Sequence, residues 1–101
     1  MKEGTDVESR LKCENTDFLF DCILALETRE ECYAFFEDLC TIPEIKAMAQ
    51  RVEVAKLLSE KKVYNDIFEQ TGASTATISR VNRSLSYGSG GYSGIFKKVL
   101  K

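Results

Sequence analysis

Apolar residues recur at steps of three and four along most of the chain, the spacing that places them on one face of an α-helix. NTDFLFDCILAL predicts a first helix, and TREECYAFFEDLC predicts a second, opened by a capping box of Thr28 and Glu31. Phe20 and Tyr33 fall outside the narrowest stripes, so both helices are apolar over a broad arc. Cover by a partner subunit is therefore favoured over burial within one chain. The stripes contain Phe18, Leu19, Cys22, Ile23 and Leu26, then Cys32, Phe35, Phe36, Leu39 and Cys40.

Three further helices are predicted in the second half. TIPE has capping-box spacing from Thr41 to Glu44 and predicts a long helix from Pro43 to about Glu60. KKVYNDIFEQTG predicts a short helix that Gly72 ends, and Ser74 is placed to cap the next one. Because no segment alternates with the two-residue period of a strand, the expected fold class is all-α. The inward positions are expected to be Ile45, Met48, Val52, Ala55 and Leu57 or Leu58, then Val63, Ile67 and Phe68, then Ile78, Val81 and Leu85.

The two ends of the chain have weaker patterns. Residues 1–14 lack an apolar period and are expected to form a flexible lead-in to one helical domain over residues 15–101. SYGSGGYSG, residues 86–94, contains four of the six glycines and predicts a flexible loop. Residues 95–100 then have room for one or two closing helical turns.

Length and composition fit one small globular domain of 101 residues. No apolar run approaches the ~20 residues that span a bilayer, so no membrane is expected as a partner. The N-terminus is too polar for a secretory signal, which favours a cytoplasmic protein with reduced cysteines. The four cysteines have wide, irregular spacings and there is no histidine. We therefore expect small buried apolar cysteines and no metal site.

Charge is divided unevenly along the chain. Residues 1–60 have seven Lys/Arg and fourteen Asp/Glu, whereas residues 61–101 have seven Lys/Arg and two Asp/Glu. The basic half points to an anionic partner, with double-stranded DNA the first candidate. Attraction between the two halves, within one chain or across a dimer, is the alternative.

A helix, a glycine-containing turn and a second helix over about residues 63–85 form the helix-turn-helix pattern. The second helix begins with small residues and continues with arginines at helical spacing. Arginine pairs with guanine edges or phosphates, and helix N-termini and lysines hold phosphates. A surface helix with solvated arginines is the simpler alternative. The candidate DNA-binding residues are Lys62, Ser74, Thr75, Ala76, Thr77, Ser79, Arg80 and Arg83.

IPEIKAMAQRVEVAKLL, followed by GASTATISRVNRSL and YGSGGY, resembles the Trp repressor superfamily and, within it, the YerC/YecD-type TrpR-related proteins. The resemblance covers roughly residues 35–96. It implies a TrpR-like all-helical fold, an intertwined homodimer, and operator binding through two helix-turn-helix units.

The resemblance also implies an effector pocket. In Trp repressor the corepressor tryptophan lies between two arginines, whose matching positions here are Arg51 and Arg80, and Thr77 and Ser84 align with other pocket residues. Val81 replaces a glycine and would crowd an indole, and TIPEIKAMAQR is one residue shorter than its counterpart. Tryptophan is therefore not the expected effector, and a corepressor of other identity is left open.

The function expected from the sequence is a DNA-binding transcriptional regulator, a repressor acting as a homodimer without a cofactor. One alternative is an effector-sensing regulator that holds a small anion or amino acid between Arg51 and Arg80. Another is a protein-interaction module that binds no DNA. An enzyme is not expected, because the chain has no histidine base and no serine or cysteine in a nucleophile motif.

Overall fold

The computed structural model describes residues 9–100, so residues 1–8 of the predicted lead-in lie outside the described part. Every regular element between residues 9 and 100 is a helix, which confirms the all-α prediction. The helices are α1 (Glu14–Leu24), α2 (Arg29–Leu39), α3 (Ile42–Ser59), α4 (Tyr64–Thr71), α5 (Thr75–Tyr87) and α6 (Gly91–Val99). They divide into two compact units, the first ending at Cys40 and the second beginning at Thr41.

The first unit contains α1 and α2, and neither helix buries a side chain. Phe18, for example, is 69% exposed. The expectation of buried cysteines is therefore wrong: Cys13 and Cys32 are exposed, and Cys22 and Cys40 are half-buried. Two helices of 11 residues each have too little apolar surface to enclose a core by themselves.

The capping box predicted for α2 forms only in part. The Glu31 backbone N–H donates to the Thr28 hydroxyl at 3.0 Å, as expected. The Glu31 carboxylate, however, accepts from the backbone N–H of Glu27 at 2.7 Å rather than from that of Thr28. The carboxylate thus reaches one residue further back than the standard box.

The second unit opens with a complete capping box at the start of α3, which confirms the prediction. The Thr41 backbone N–H donates to the Glu44 carboxylate at 2.8 Å, and the Glu44 backbone N–H donates to the Thr41 hydroxyl at 3.2 Å. Hydrogen bonds to the Glu44 carboxylate, first from the Thr41 backbone N–H and then from the Thr41 side chain, hold the pKa of the Glu44 carboxyl below its ordinary value. The local pattern therefore sets where the long helix starts.

The core of the second unit lies where α3 packs against α4, α5 and α6. Helix α3 buries Val54, Ala55 and Leu57, more than one narrow apolar stripe would supply, because α4, α5 and α6 all pack against it. Leu58, Leu85, Tyr92 and Phe96 are partly buried against this core. The buried residues are Val54, Ala55, Leu57, Ile67, Ala73, Ile78 and Val81.

Some predicted inward positions are wrong. On α3, Val52 is 48% exposed, and Val54, two residues later, takes the buried place. Val63, the residue before α4, and Phe68 on α4 are exposed, and Ile67 is the one buried residue of α4. A helix of eight residues has only about two turns, so it can bury few side chains.

The glycine-rich segment is not a flexible loop between residues 86 and 94, which corrects the prediction. Helix α5 continues to Tyr87, and α6 already begins at Gly91, after Gly90 adopts a left-handed φ of 80°. Tyr92 and Phe96, one helical turn apart, pack on the core with their ring centroids 6.0 Å apart. Burial of these aromatic rings offsets the poor helix propensity of glycine.

Gly72→Ala is expected to lower the free energy of unfolding by about 1 kcal/mol, because Gly72 has φ 74° and an added Cβ meets nothing within 4 Å, leaving only backbone strain. Gly94→Ala is the matched control: it lies inside α6, has equally open space and should stabilise the protein by about 0.5–1 kcal/mol. Urea unfolding of both variants measures the difference. Equal effects would contradict the left-handed turn.

Candidate nucleic-acid interface

The turn between α4 and α5 is held by hydrogen bonds from residues within it. Gly72 ends α4, and its N–H donates to the Phe68 carbonyl at 2.8 Å. The Thr71 hydroxyl donates to the Ile67 carbonyl at 2.8 Å and accepts from the Ala73 N–H at 3.0 Å. Ala73 is buried, so the middle of the turn is anchored in the core. The result is a helix, a three-residue turn and a second helix.

Ser74 caps α5, as its position in the sequence predicts. Its hydroxyl accepts from the Thr77 backbone N–H at 3.1 Å and lies 3.1 Å from the Thr77 hydroxyl. The first N–H groups of a helix have no partner within the helix. The Ser74 hydroxyl satisfies the N–H group of Thr77, whereas the N–H groups of Thr75 and Ala76 are left for other acceptors. Both of these residues are exposed.

One face of α5 points into the core and the opposite face is open. Ile78 and Val81 are buried, and Leu85 is partly buried behind them. The helical period places the candidate DNA-binding residues after the cap on the opposite side. Thr75, Ala76, Arg80 and Arg83 are exposed there, whereas Ser79 and Thr77, which lies at the edge of this face, are half-buried.

Lys62 lies apart from α5, in the connection between α3 and α4. The chain reverses there because Lys61 adopts a left-handed φ of 67°, and the Lys62 N–H donates back to the Leu57 carbonyl at 3.1 Å. The Lys62 side chain is exposed. Lys62 therefore places a positive charge just before α4, the first helix of the helix-turn-helix.

The positive charges of the second unit are not neutralised internally. From residue 41 to the end the chain has ten Lys/Arg and five Asp/Glu, and from Thr71 onwards it has no carboxylate side chain. No lysine or arginine among residues 41–100 forms an ion pair. The first unit has the opposite balance, with four Lys/Arg and eleven Asp/Glu. Arg80 and Arg83 are thus unpaired cations on the open face of α5.

The residues proposed for an effector pocket lie on two helices in contact, α3 and α5. Arg51 is half-buried on α3, Thr77 is half-buried on α5, and Arg80 and Ser84 are exposed. Val81, expected to narrow the pocket, is 2% exposed and belongs to the core. Its side chain therefore fills space within the folded unit.

Sequence reasoning missed Gln50, the residue before Arg51. Its side-chain amide Nε2 donates to the Thr71 carbonyl at 3.1 Å, linking α3 to the end of α4. Nothing in the sequence singles out this glutamine, since the bond joins residues 21 positions apart.

Along residues 9–100, none of the helices has the length and apolar character required to cross a membrane.

Comparison with known proteins gives consistent matches over most of the chain. A family model described as Trp repressor protein matches residues 14–100. The uncharacterised protein YerC of Bacillus subtilis is 55% identical over 83 residues, which cover 82% of this chain and 80% of that protein.

Two solved structures are also similar. A TrpR-like protein from Eubacterium eligens is 56% identical and superposes with a TM-score of 0.86. The match covers 88% of this chain and 92% of the chain of that protein. A candidate Trp repressor from Staphylococcus aureus is 50% identical, with coverage of 88% and 89% and a TM-score of 0.85. By sequence and by fold, this chain belongs to the Trp repressor family.

Proposed function

We propose that this protein is a sequence-specific DNA-binding transcriptional regulator, a repressor, that inserts α5 into the major groove. The observation that carries the proposal is the open face of α5, where Arg80 and Arg83 have no internal ion pair. Membership of the Trp repressor family supports it. A cytoplasmic site of action is part of the proposal, because the similar proteins come from bacteria, whose DNA lies in the cytoplasm.

The roles of the residues follow from where they lie on the helix. Thr75 and Ala76, at the capped end of α5, are small enough to let the backbone approach a base edge. Ser79 and Arg83 follow on the same face, and Arg83 offers two donors to a guanine. Ser74, Thr77, Arg80 and Lys62 are assigned to the phosphate backbone, where they set the orientation of the helix.

A homodimer is part of the proposal, because the first unit has no core of its own. The helices α1 and α2 bury no side chain, and they expose Leu24 and Tyr33 as well as Phe18. A second copy of the chain is the partner that would cover these apolar surfaces. Two copies related by a two-fold axis would then present two α5 helices to half-sites of a palindrome.

Selection of bound sequences from a random duplex pool tests this function. The expected result is a palindromic consensus with its half-sites about one helical turn apart. Enrichment of a single unpaired half-site would contradict dimeric docking, and no enrichment would contradict sequence-specific binding. A purified protein free of nucleic acid, judged by its absorbance ratio, together with no enrichment would favour a protein-interaction module.

Arg83→Ala is expected to weaken binding to the selected site by about 1–3 kcal/mol, because the two donors to a base are lost. Lys97→Ala is the control: it also removes one positive charge from the second unit, but from an exposed position on α6. Fluorescence anisotropy with labelled duplex measures both affinities. If Arg83→Ala binds as tightly as the parent, Arg83 does not read the operator.

A further inference from the structure

The hydrogen bond from Gln50 to Thr71 is unusual within the second unit. Among residues 41–100, every other side-chain hydrogen bond joins residues at most four positions apart, within one helix, cap or turn. The Gln50 bond alone, at 3.1 Å, connects two separate elements. It is part-buried, so water competes with it less than with an exposed bond.

The acceptor of this bond lies at the end of α4, three residues before the Ser74 cap of α5. Thr71 is the last residue of α4, and its carbonyl is one of those without a partner in its own helix. The hydroxyl of the same residue bonds to the Ile67 carbonyl and to the Ala73 N–H. Gln50 therefore ties α3 to a residue that is itself tied to both sides of the turn.

Apolar packing alone would leave the position of α5 less well defined. Ala73 and Ile78 hold the turn and α5 against the core, but hydrophobic burial has no preferred direction. A hydrogen bond does, because its energy falls steeply when the donor–acceptor distance or angle departs from a narrow range. Contacts to base edges need the same accuracy in the helix that makes them.

We propose that Gln50 is the positioning residue of the helix-turn-helix: its bond to the Thr71 carbonyl fixes α5 in the orientation that contacts to base edges need. This inference rests on the proposed function and goes further by naming a residue outside α4 and α5 on which operator recognition depends.

Gln50→Met tests the positioning role, since methionine keeps the length of the side chain but has no N–H donor. We expect affinity for the selected operator to fall by about tenfold, while affinity for a random duplex stays unchanged. Gln70→Met, an identical change at an exposed position of α4, should alter neither affinity. The readout is the ratio of operator to random-duplex affinity, at a temperature where circular dichroism shows each variant to be folded.

A purely structural role for Gln50 would lower the unfolding temperature and leave that ratio unchanged, and this result would overturn the proposal. If Gln50→Met does not fold, Gln50→Glu, which has nearly the same shape but presents an acceptor to the Thr71 carbonyl, is compared with Gln70→Glu. Both add the same negative charge, so a lower ratio for Gln50→Glu alone supports positioning, and equal ratios overturn it.

The unmodified protein distinguishes failure of this inference from failure of the proposed function. If the unmodified protein binds no duplex, the proposed function itself fails. If it binds and Gln50→Met binds equally well, only the present inference fails.

Discussion

Raising the salt concentration from about 50 mM to about 200 mM is expected to weaken operator binding by roughly a hundredfold. Each subunit presents two cations assigned to phosphates, Lys62 and Arg80, and neither has an ion pair within residues 41–100. A dimer would then neutralise about four phosphates, and each contact contributes about −0.9 to the slope of log K against log salt concentration. Anisotropy titrations at four or five salt concentrations measure the slope.

The slope also distinguishes a cation that contacts a phosphate from one that only adds to the net charge of the protein. Lys62→Ala should reduce its magnitude by about two for the dimer, one contact per subunit. Lys97→Ala removes the same charge from α6 and should leave the slope nearly unchanged. If the operator affinity of the unmodified protein does not change with salt concentration, this result would contradict the proposal that the open face of α5 binds DNA.

Ile67→Ala is expected to lower the free energy of unfolding by about 2–5 kcal/mol. Ile67 is 0% exposed and is the one buried residue of α4, so its removal leaves a cavity where α3, α4 and α5 meet. Because small domains have about 5–15 kcal/mol of stability in total, this loss is a large share. Operator binding should fall with it, since α4 would no longer hold the turn. Urea denaturation followed by circular dichroism measures the change.

Ile42→Ala is the matched control for this prediction. Ile42 is the first residue of α3 and is 68% exposed, so the same truncation removes little buried surface. We expect a change within about 0.5 kcal/mol. A destabilisation as large as that of Ile67→Ala would contradict the exposure of Ile42 and show that this side chain is buried in solution.

The candidate site was largely predictable from local signals. A helix cap depends on residues three positions apart, so Ser74 and Thr77 could be paired without knowledge of the fold. Gly72 was recognisable because an αL residue after a helix favours glycine. The open face of α5 followed from its 3.6-residue period once Ile78 and Val81 were taken as inward.

Packing between helices was less predictable. The period of α3 allowed more than one apolar stripe, and only its neighbours α4, α5 and α6 decide that Val54 rather than Val52 is buried. The first turn of α6, from Gly91 to Gly94, was missed for a related reason, although helical turns were expected over residues 95–100. Its glycines oppose a helix locally, whereas the burial of Tyr92 and Phe96 against the core favours one.

The sequence by itself determined where α3 and α5 begin, where α4 ends and which side of α5 is open, because caps, turns and helical periods act over a few residues. Only the tertiary structure decided which α3 residues form the core and that Gln50 meets Thr71, 21 positions later. Such contacts depend on how helices pack, and packing energy is shared among residues that are distant along the chain.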